Sequence, residues 1–216
     1  STVIFLPFVI SDGGLFLFYG DYNVQQIPFY KMAHEAVRSG NIWWSFNTDI
    51  GANFIGSYSF YLLGSPFFWL TIPFPTSWVP YLMAPLFVLK FSVAAVTSFG
   101  YISRFTKTRE YAMIGALLYA FSGFAVYNIF FNHFNDVIAL FPLMLIALEE
   151  FIVNRRRGVF ALTVAMMALL NYFFFAGQVV FIIIYFIFRS TSRDFKYNLK
   201  QFLLLAFESV LGVALA

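Results

Sequence analysis

Few ionisable side chains interrupt this chain, and those that do define its candidate chemistry. Asp21 lies in a polar island, Gly20-Asp21-Tyr22-Asn23-Val24-Gln25-Gln26, directly after an apolar start. A carboxylate so placed can take a proton from an attacking hydroxyl. An Asp after a Gly is also a turn-capping residue, and the residues alone favour that blander reading. His133 and Asp136 are three apart at the expected start of a helix, so they share a face. Carboxylate and imidazole suit a divalent ion, which the pair could share with Asp21; alternatively, Asn132, Asn135 and Asp136 cap the helix and His133 sits at an interface. Lys90 falls near the middle of a long apolar run, where a lysine costs roughly 2.5 to 3.5 kcal/mol on insertion scales. That cost calls for an anion, either a ligand's or the carboxylate of Glu208, which also lies in an apolar run.

These side chains need a scaffold, and composition says which kind. Hydrophobic residues make up 61% of the 216 positions and charged residues 11%, against about 25% charged in an ordinary soluble domain. Water cannot be the only solvent, and we read an integral membrane protein. A β-barrel is excluded, because its strands alternate apolar and polar residues, whereas stretches such as 111–131 are continuously apolar at helical-span length. The chain has no cysteine, hence no disulfide framework and no thiolate ligand or nucleophile. A net charge of +3 requires no nucleic acid, since the basic residues cluster in short segments between spans.

Those basic residues set an orientation. Ten of the 13 Lys and Arg fall in three clusters: Arg104, Lys107 and Arg109; Arg155, Arg156 and Arg157; Arg189, Arg193, Lys196 and Lys200. The positive-inside rule makes these loops cytoplasmic. Asp12, Asp21, Glu35, Asp49 and Asp136 then lie on the outer side, with Lys31 and Arg38. Residues 110–131 lead outward and 137–153 return, so the turn at 131–136 is external. The 31 residues between Arg157 and Arg189 must cross an even number of times. Two helices of about 15 residues reach only about 22 Å each, short of a 30 Å hydrocarbon core, so their turn near Asn171, Tyr172 and Gly177-Gln178 sits below the outer surface and implies a groove. Parity forbids Tyr58 to Ile72 from crossing; it lies in the outer interface or dips in and back, broken by Pro66, Pro73 and Pro75. Residues 26–37 pattern as a surface helix with Ile27, Tyr30, Ala33 and Val37 on its apolar side and Lys31, His34, Glu35 and Arg38 elsewhere. The chain starts and stops inside apolar runs, so we take it as an N-terminal fragment of a longer protein. It forms one transmembrane domain: 1–10 the end of a first span, 11–77 an extracytoplasmic insert with interfacial helices, and 78–216 helical spans.

A first span, a long outer loop opening with an acid, surface-lying helices and then a bundle of spans resemble the glycosyltransferase-C superfamily. Narrower wording resembles the bacterial YfhO family: Gly20-Asp21-Tyr22 with Gln25-Gln26-Ile27-Pro28-Phe29-Tyr30, Gly51-Ala52-Asn53-Phe54-Ile55-Gly56-Ser57-Tyr58, Ser65-Pro66-Phe67, Leu89-Lys90, and Asn132-His133 through Pro142-Leu143. The resemblance covers nearly the whole sequence in order.

It implies an all-α multi-span bundle of glycosyltransferase-C type in a bacterial cell membrane, its active site on the extracytoplasmic face. Its implied activity is transfer of a sugar from a polyprenyl (undecaprenyl) phosphate carrier to a cell-envelope acceptor such as a teichoic acid or wall polysaccharide. Asp21 matches the position of the superfamily's catalytic acid, and an inverting transfer needs such a base. His133 and Asp136 become candidates for holding acceptor or sugar. Asn53 and Tyr58 are candidate sugar contacts, with Gln25 of the island beside them. Lys90, Lys31 and Arg38 are rival ligands of the carrier phosphate. Trp43 and Trp44 serve as sugar contacts or interface anchors, Asp49 is a weaker second acid, and Glu149 and Glu150 read as a cytoplasmic helix end. No cofactor is demanded beyond the divalent ion above. Other readings are a polytopic transporter or lipid flippase using Lys90, Glu208 and the broken helices near Asn171, and a non-catalytic scaffold.

Overall fold

A computed structural model describes residues 1–48 and 50–216; Asp49 lies outside the described residues. Helices dominate: α1 (Thr2–Ser11), α2 (Ile27–Ser39), α3 (Phe54–Tyr58), α4 (Pro66–Trp69), α5 (Val79–Ile102), α6 (Arg109–Ala120), α7 (Gly123–Tyr127), α8 (Asn132–Ile152), α9 (Val159–Leu170), α10 (Tyr172–Arg189) and α11 (Leu199–Ala214). Wide π-turns occupy Tyr22–Gln26 and Ser59–Leu63. A small antiparallel ribbon pairs β1 (Trp44–Ser45) with β2 (Ala52–Asn53), Trp44 opposite Asn53. Three helical stretches, Thr76–Ile102, Arg109–Tyr127 and Tyr172–Arg189, are long and apolar enough to cross a membrane.

The bundle is a row in which α6 packs on α5, α5 on α8, α8 on α9 and α9 on α11. Helices α5 and α8 run parallel. Lys90 meets Asp136 at one end and Arg104 meets Glu150 at the other, and fourteen residues separate the members of each helix, about 21 Å of axis. The return leg breaks where the sequence suggested continuity: α6 stops at Ala120, and Ser122 caps α7 by accepting a bond from the Ala125 N–H. The stretch between the Arg triplet and Arg189 does divide in two, but unequally, into 12 and 18 residues, with an extended Asn171 (φ −164°) between them. At about 18 Å, α9 is too short to span a bilayer alone.

Its C-terminal tip is met by the segment around residues 59–64. The π-turn and α4 come down onto the bundle: Asn171 Nδ2 donates to the Phe60 carbonyl at 3.4 Å, and Gly64 lies against the Leu169 carbonyl so closely that no Cβ would fit. The break at Asn171 is therefore filled rather than open. A crevice of about 250 Å³ persists further along, between Ser122 and Phe124, Val137 and Phe141, and Gly177 and Gln178.

The upper half of α5 overhangs the start of α8 and is clad by aromatic rings. Phe87 packs against Phe5 of α1 (5.9 Å), Phe16 (5.6 Å) and Tyr22 (5.5 Å). Here α2 departs from the simple amphipathic pattern. His34 is fully buried, with Nδ1 2.9 Å from Thr76 Oγ1 and Nε2 3.1 Å from the Thr71 carbonyl, and so ties α2 to the turn before α5.

At the opposite end the three basic clusters converge. Arg104 and Arg156 pair with Glu150, and Arg189 grips Glu149. The two glutamates are thus ionic anchors for α5, α8 and α10 together.

Candidate functional site

Four elements meet below the polar island: the π-turn Tyr22–Gln26, α2, the middle of α5 and the first turn of α8. Gly20 takes φ +57° and faces the Phe130 ring where a Cβ would stand. Glycine is required on both counts, and the contact holds the island on the loop that leads into α8. Tyr19 reinforces it with a ring 5.2 Å from Phe130. On the other side of Asp21, Tyr22 is fully buried against Phe16 and Phe87. Burial pushes the Tyr22 phenol up, so it remains a protonated donor.

Asp21 itself is half-buried. It stands at the N-terminal edge of the π-turn without a side-chain capping bond, and it enters no ion pair among the described residues. The turn-capping alternative therefore lacks its hydrogen bond here.

Lys90 is buried and faces three oxygens: Asn132 Oδ1 at 2.6 Å, the Asn132 carbonyl at 3.1 Å and Asp136 Oδ1 at 2.5 Å. The Asp136 contact lies outside hydrogen-bond angles; at that separation of opposite charges in a dry surrounding it is an ion pair. Two of the three ammonium protons go to Asn132, and the charge is paired with Asp136. This corrects one sequence expectation for Lys90, the pairing with Glu208. Its anion is Asp136 rather than Glu208, whose carboxylate instead accepts from the Gly158 N–H (2.7 Å) and the Ala161 N–H (3.2 Å) at the start of α9. Lys90 sits near the middle of α5, as the sequence placed it, level with the first turn of α8. The rings of Tyr30, Phe67 and Phe87 surround the ammonium at 6.0, 5.6 and 5.7 Å.

His133, buried beside Asn132, places Nδ1 3.1 Å from Gln26 Oε1, and Gln26 Nε2 donates to Gln25 Oε1 at 3.1 Å. Its ring packs between Phe60 (5.0 Å) and Tyr61 (5.1 Å) of the insert. The expected helix caps are not made: Phe131 occupies the cap of α8 without a side-chain bond, and Asn135 donates to the Asn128 carbonyl. The described residues contain no group of three or more His, Cys, Asp or Glu that could hold a metal ion.

The structure thus brings Gln25, Lys90, His133 and Asp136 to one locus, joined to Asp21 through the π-turn. It sets the other candidates apart. Asn53 caps α3 by accepting from the Gly56 N–H at 2.7 Å. Tyr58 is buried inside the insert, its hydroxyl 2.7 Å from Thr48 Oγ1. Arg38 donates to the Phe74 carbonyl from the exposed end of α2. Sequence reasoning missed Tyr22, Tyr30, Gln26 and Asn132. Five buried polar atoms of this cluster have no hydrogen-bond partner among the described residues: Tyr22 Oη, Tyr30 Oη, Asn132 Nδ2, His133 Nε2 and Asp136 Oδ1, the last in ionic contact with Lys90. Each such atom costs about 1 to 3 kcal/mol if left dry, and their gathering around one ion pair marks a locus suited to a polar group.

A family whose model is described as bacterial membrane protein YfhO matches residues 1–216. No curated protein and no solved structure matches.

Proposed function

The chain belongs to the YfhO family of bacterial membrane proteins, and on that footing we propose that it is a membrane glycosyltransferase. It takes a sugar from a polyprenyl phosphate carrier at the outer face and attaches it to a hydroxyl of a cell-envelope polymer. The observation that supports it is the state of the acids at the insert end. Asp136 is paired with Lys90, Asp12 accepts from the Leu17 N–H at 3.2 Å, and Glu35 points outward from α2. Asp21 is half-buried and uncommitted beside the buried polar cluster.

Asp21 takes the proton of the acceptor hydroxyl as its oxygen attacks the anomeric carbon. The carbon–oxygen bond to the carrier breaks, its electron pair leaves with the phosphate, and the anomeric centre inverts. Of the insert's two cations, Arg38 gives one N–H to the Phe74 carbonyl, and we assign exposed Lys31, which makes no ion pair among the described residues, to the carrier phosphate. Transport draws no support from the charges, because Lys90 and Glu208 sit at opposite ends of the bundle in separate bonds.

The test is Asp21→Asn in the full-length protein at parental expression, with the sugar on purified envelope polymer quantified. Loss of a single general base is expected to lower transfer about 10²- to 10⁴-fold. Decoration at the parental rate would remove Asp21 from the mechanism.

A further inference from the structure

Away from the island, the insert carries a second polar feature, a cavity of about 490 Å³ on the outer side of α2. Its walls are Glu35 and Arg38 of α2, Asn41, Ser45 and Asn47 of the strand region, and Thr76 before α5. Two apolar cavities of the bundle are lined chiefly by Phe, Ile and Val, whereas this lining is polar. Several wall groups are already spent: Ser45 Oγ accepts from Thr48, Thr76 Oγ1 bonds His34, and Arg38 gives one N–H to Phe74. The Glu35 carboxylate and the Asn41 amide have no hydrogen bond among the described residues, and Arg38 keeps further N–H groups.

We propose that this cavity binds a hydroxyl-rich glycan segment, the acceptor polymer of the reaction above, on which reading the assignment rests. One acid and one cation leave the cavity without net charge, so an anion gains at Arg38 and loses at Glu35. A carboxylate, a guanidinium and an amide converging on one space instead match hydroxyls, which donate and accept at the same atom. The volume lies in the range of sites that hold small ligands. Trp43 and Trp44 lie between Asn41 and Ser45 in sequence and are 68% and 48% exposed. The Trp44 ring is held across Gly51, whose missing side chain lets it lie close.

Binding is measured directly, apart from transfer. Purified full-length protein is titrated with a neutral soluble oligosaccharide, tetra-N-acetylchitotetraose, and separately with poly(glycerol phosphate), following tryptophan fluorescence and calorimetric heat. The neutral probe is expected to bind the parent. Glu35→Ala with Asn41→Ala is expected to weaken it about tenfold or more at an unchanged melting temperature. Asp21→Asn is expected to leave binding intact while transfer is lost. Unchanged affinity in the double variant overturns the assignment, as does binding of poly(glycerol phosphate) alone. If Asp21→Asn retains transfer while Glu35→Ala with Asn41→Ala loses binding, the groove stands and the base assignment falls. Glu35→Gln, which keeps shape and a hydrogen-bonding head, serves as the milder variant should the double substitution fail to fold.

Discussion

The two ends of the bundle each bury ion pairs, and they bury them differently. At the basic end Arg189 holds Glu149 through two parallel bonds of 2.7 and 2.8 Å, Tyr185 donates to the same carboxylate, and Asn154 donates to Glu150 at 3.0 Å. Arg189 also reaches Asp194 at 2.8 Å and lies over the rings of Phe105 and Phe195. No polar atom of this knot is buried without a partner. At the island end Lys90 and Asp136 are just as close, but Tyr22, Tyr30, Asn132 and His133 around them are left with unused polar atoms. A saturated network fixes helices and has nothing left to offer a ligand. An unsaturated one keeps hydrogen-bonding capacity in reserve, at a cost in stability that a purely structural knot has no reason to bear.

The contrast can be broken most forcefully at Lys90. Lys90→Met leaves Asp136 buried and unpaired, and is expected to cost about 3 to 5 kcal/mol, read as a fall in thermal unfolding temperature in detergent. Lys90→Met with Asp136→Leu is expected to recover most of that loss, yet not activity. Full activity in the refolded double variant would make the island-end pair as structural as its counterpart. Next in size is Glu149→Gln, which weakens a charge-assisted fork and is expected to cost about 1.5 to 3 kcal/mol with transfer per folded molecule unchanged. A specific loss of activity there would erase the distinction between the two ends. His133→Phe removes the bond to Gln26 and is expected to destabilise by about 1 kcal/mol; its larger effect is expected on transfer, because His133 and Gln26 steady the helical turn that follows Asp21.

Asp194 gives the smallest effect. The Arg189 guanidinium holds its carboxyl below the usual carboxylate range. Its contribution is therefore present above the ordinary Asp value and is lost as pH falls through the depressed one. Being fully exposed, Asp194→Asn is expected to leave the melting temperature unmoved at neutral pH. A clear drop would mean that the basic-end knot extends into solvent.

Much of this arrangement was legible in the residues. Long apolar runs and clustered arginines place the helices and gather the basic loops, and Asp21, Lys90, His133 and Asp136 stand out because charges are rare. What the pattern cannot carry is partnership. Lys90 required an anion, and the sequence offered a ligand's or that of Glu208; only the parallel packing of α5 and α8 brings Asp136 to it, while Glu208 caps α9. His34 reads as polar in a helical wheel and is buried because Thr71 and Thr76 fold back over it. Tyr22 and Tyr30 were hidden by company: in a chain that is 23% aromatic, a phenol that lines a site looks like one that packs. Gln26 was quoted within the island, but its bond to His133 spans 107 residues, a separation at which local pattern says nothing.

Gly64 carries a consequence for handling the molecule. Because the Leu169 carbonyl fills the space a side chain would need, one added methyl at that position is a wedge between roof and helix tip. Gly64→Ala would prise the insert from the bundle while leaving every charge, every aromatic ring and the Asp21 turn chemically intact. It is a mechanical lever on the site, and the polar cluster beneath would report its pull before any catalytic group had been touched.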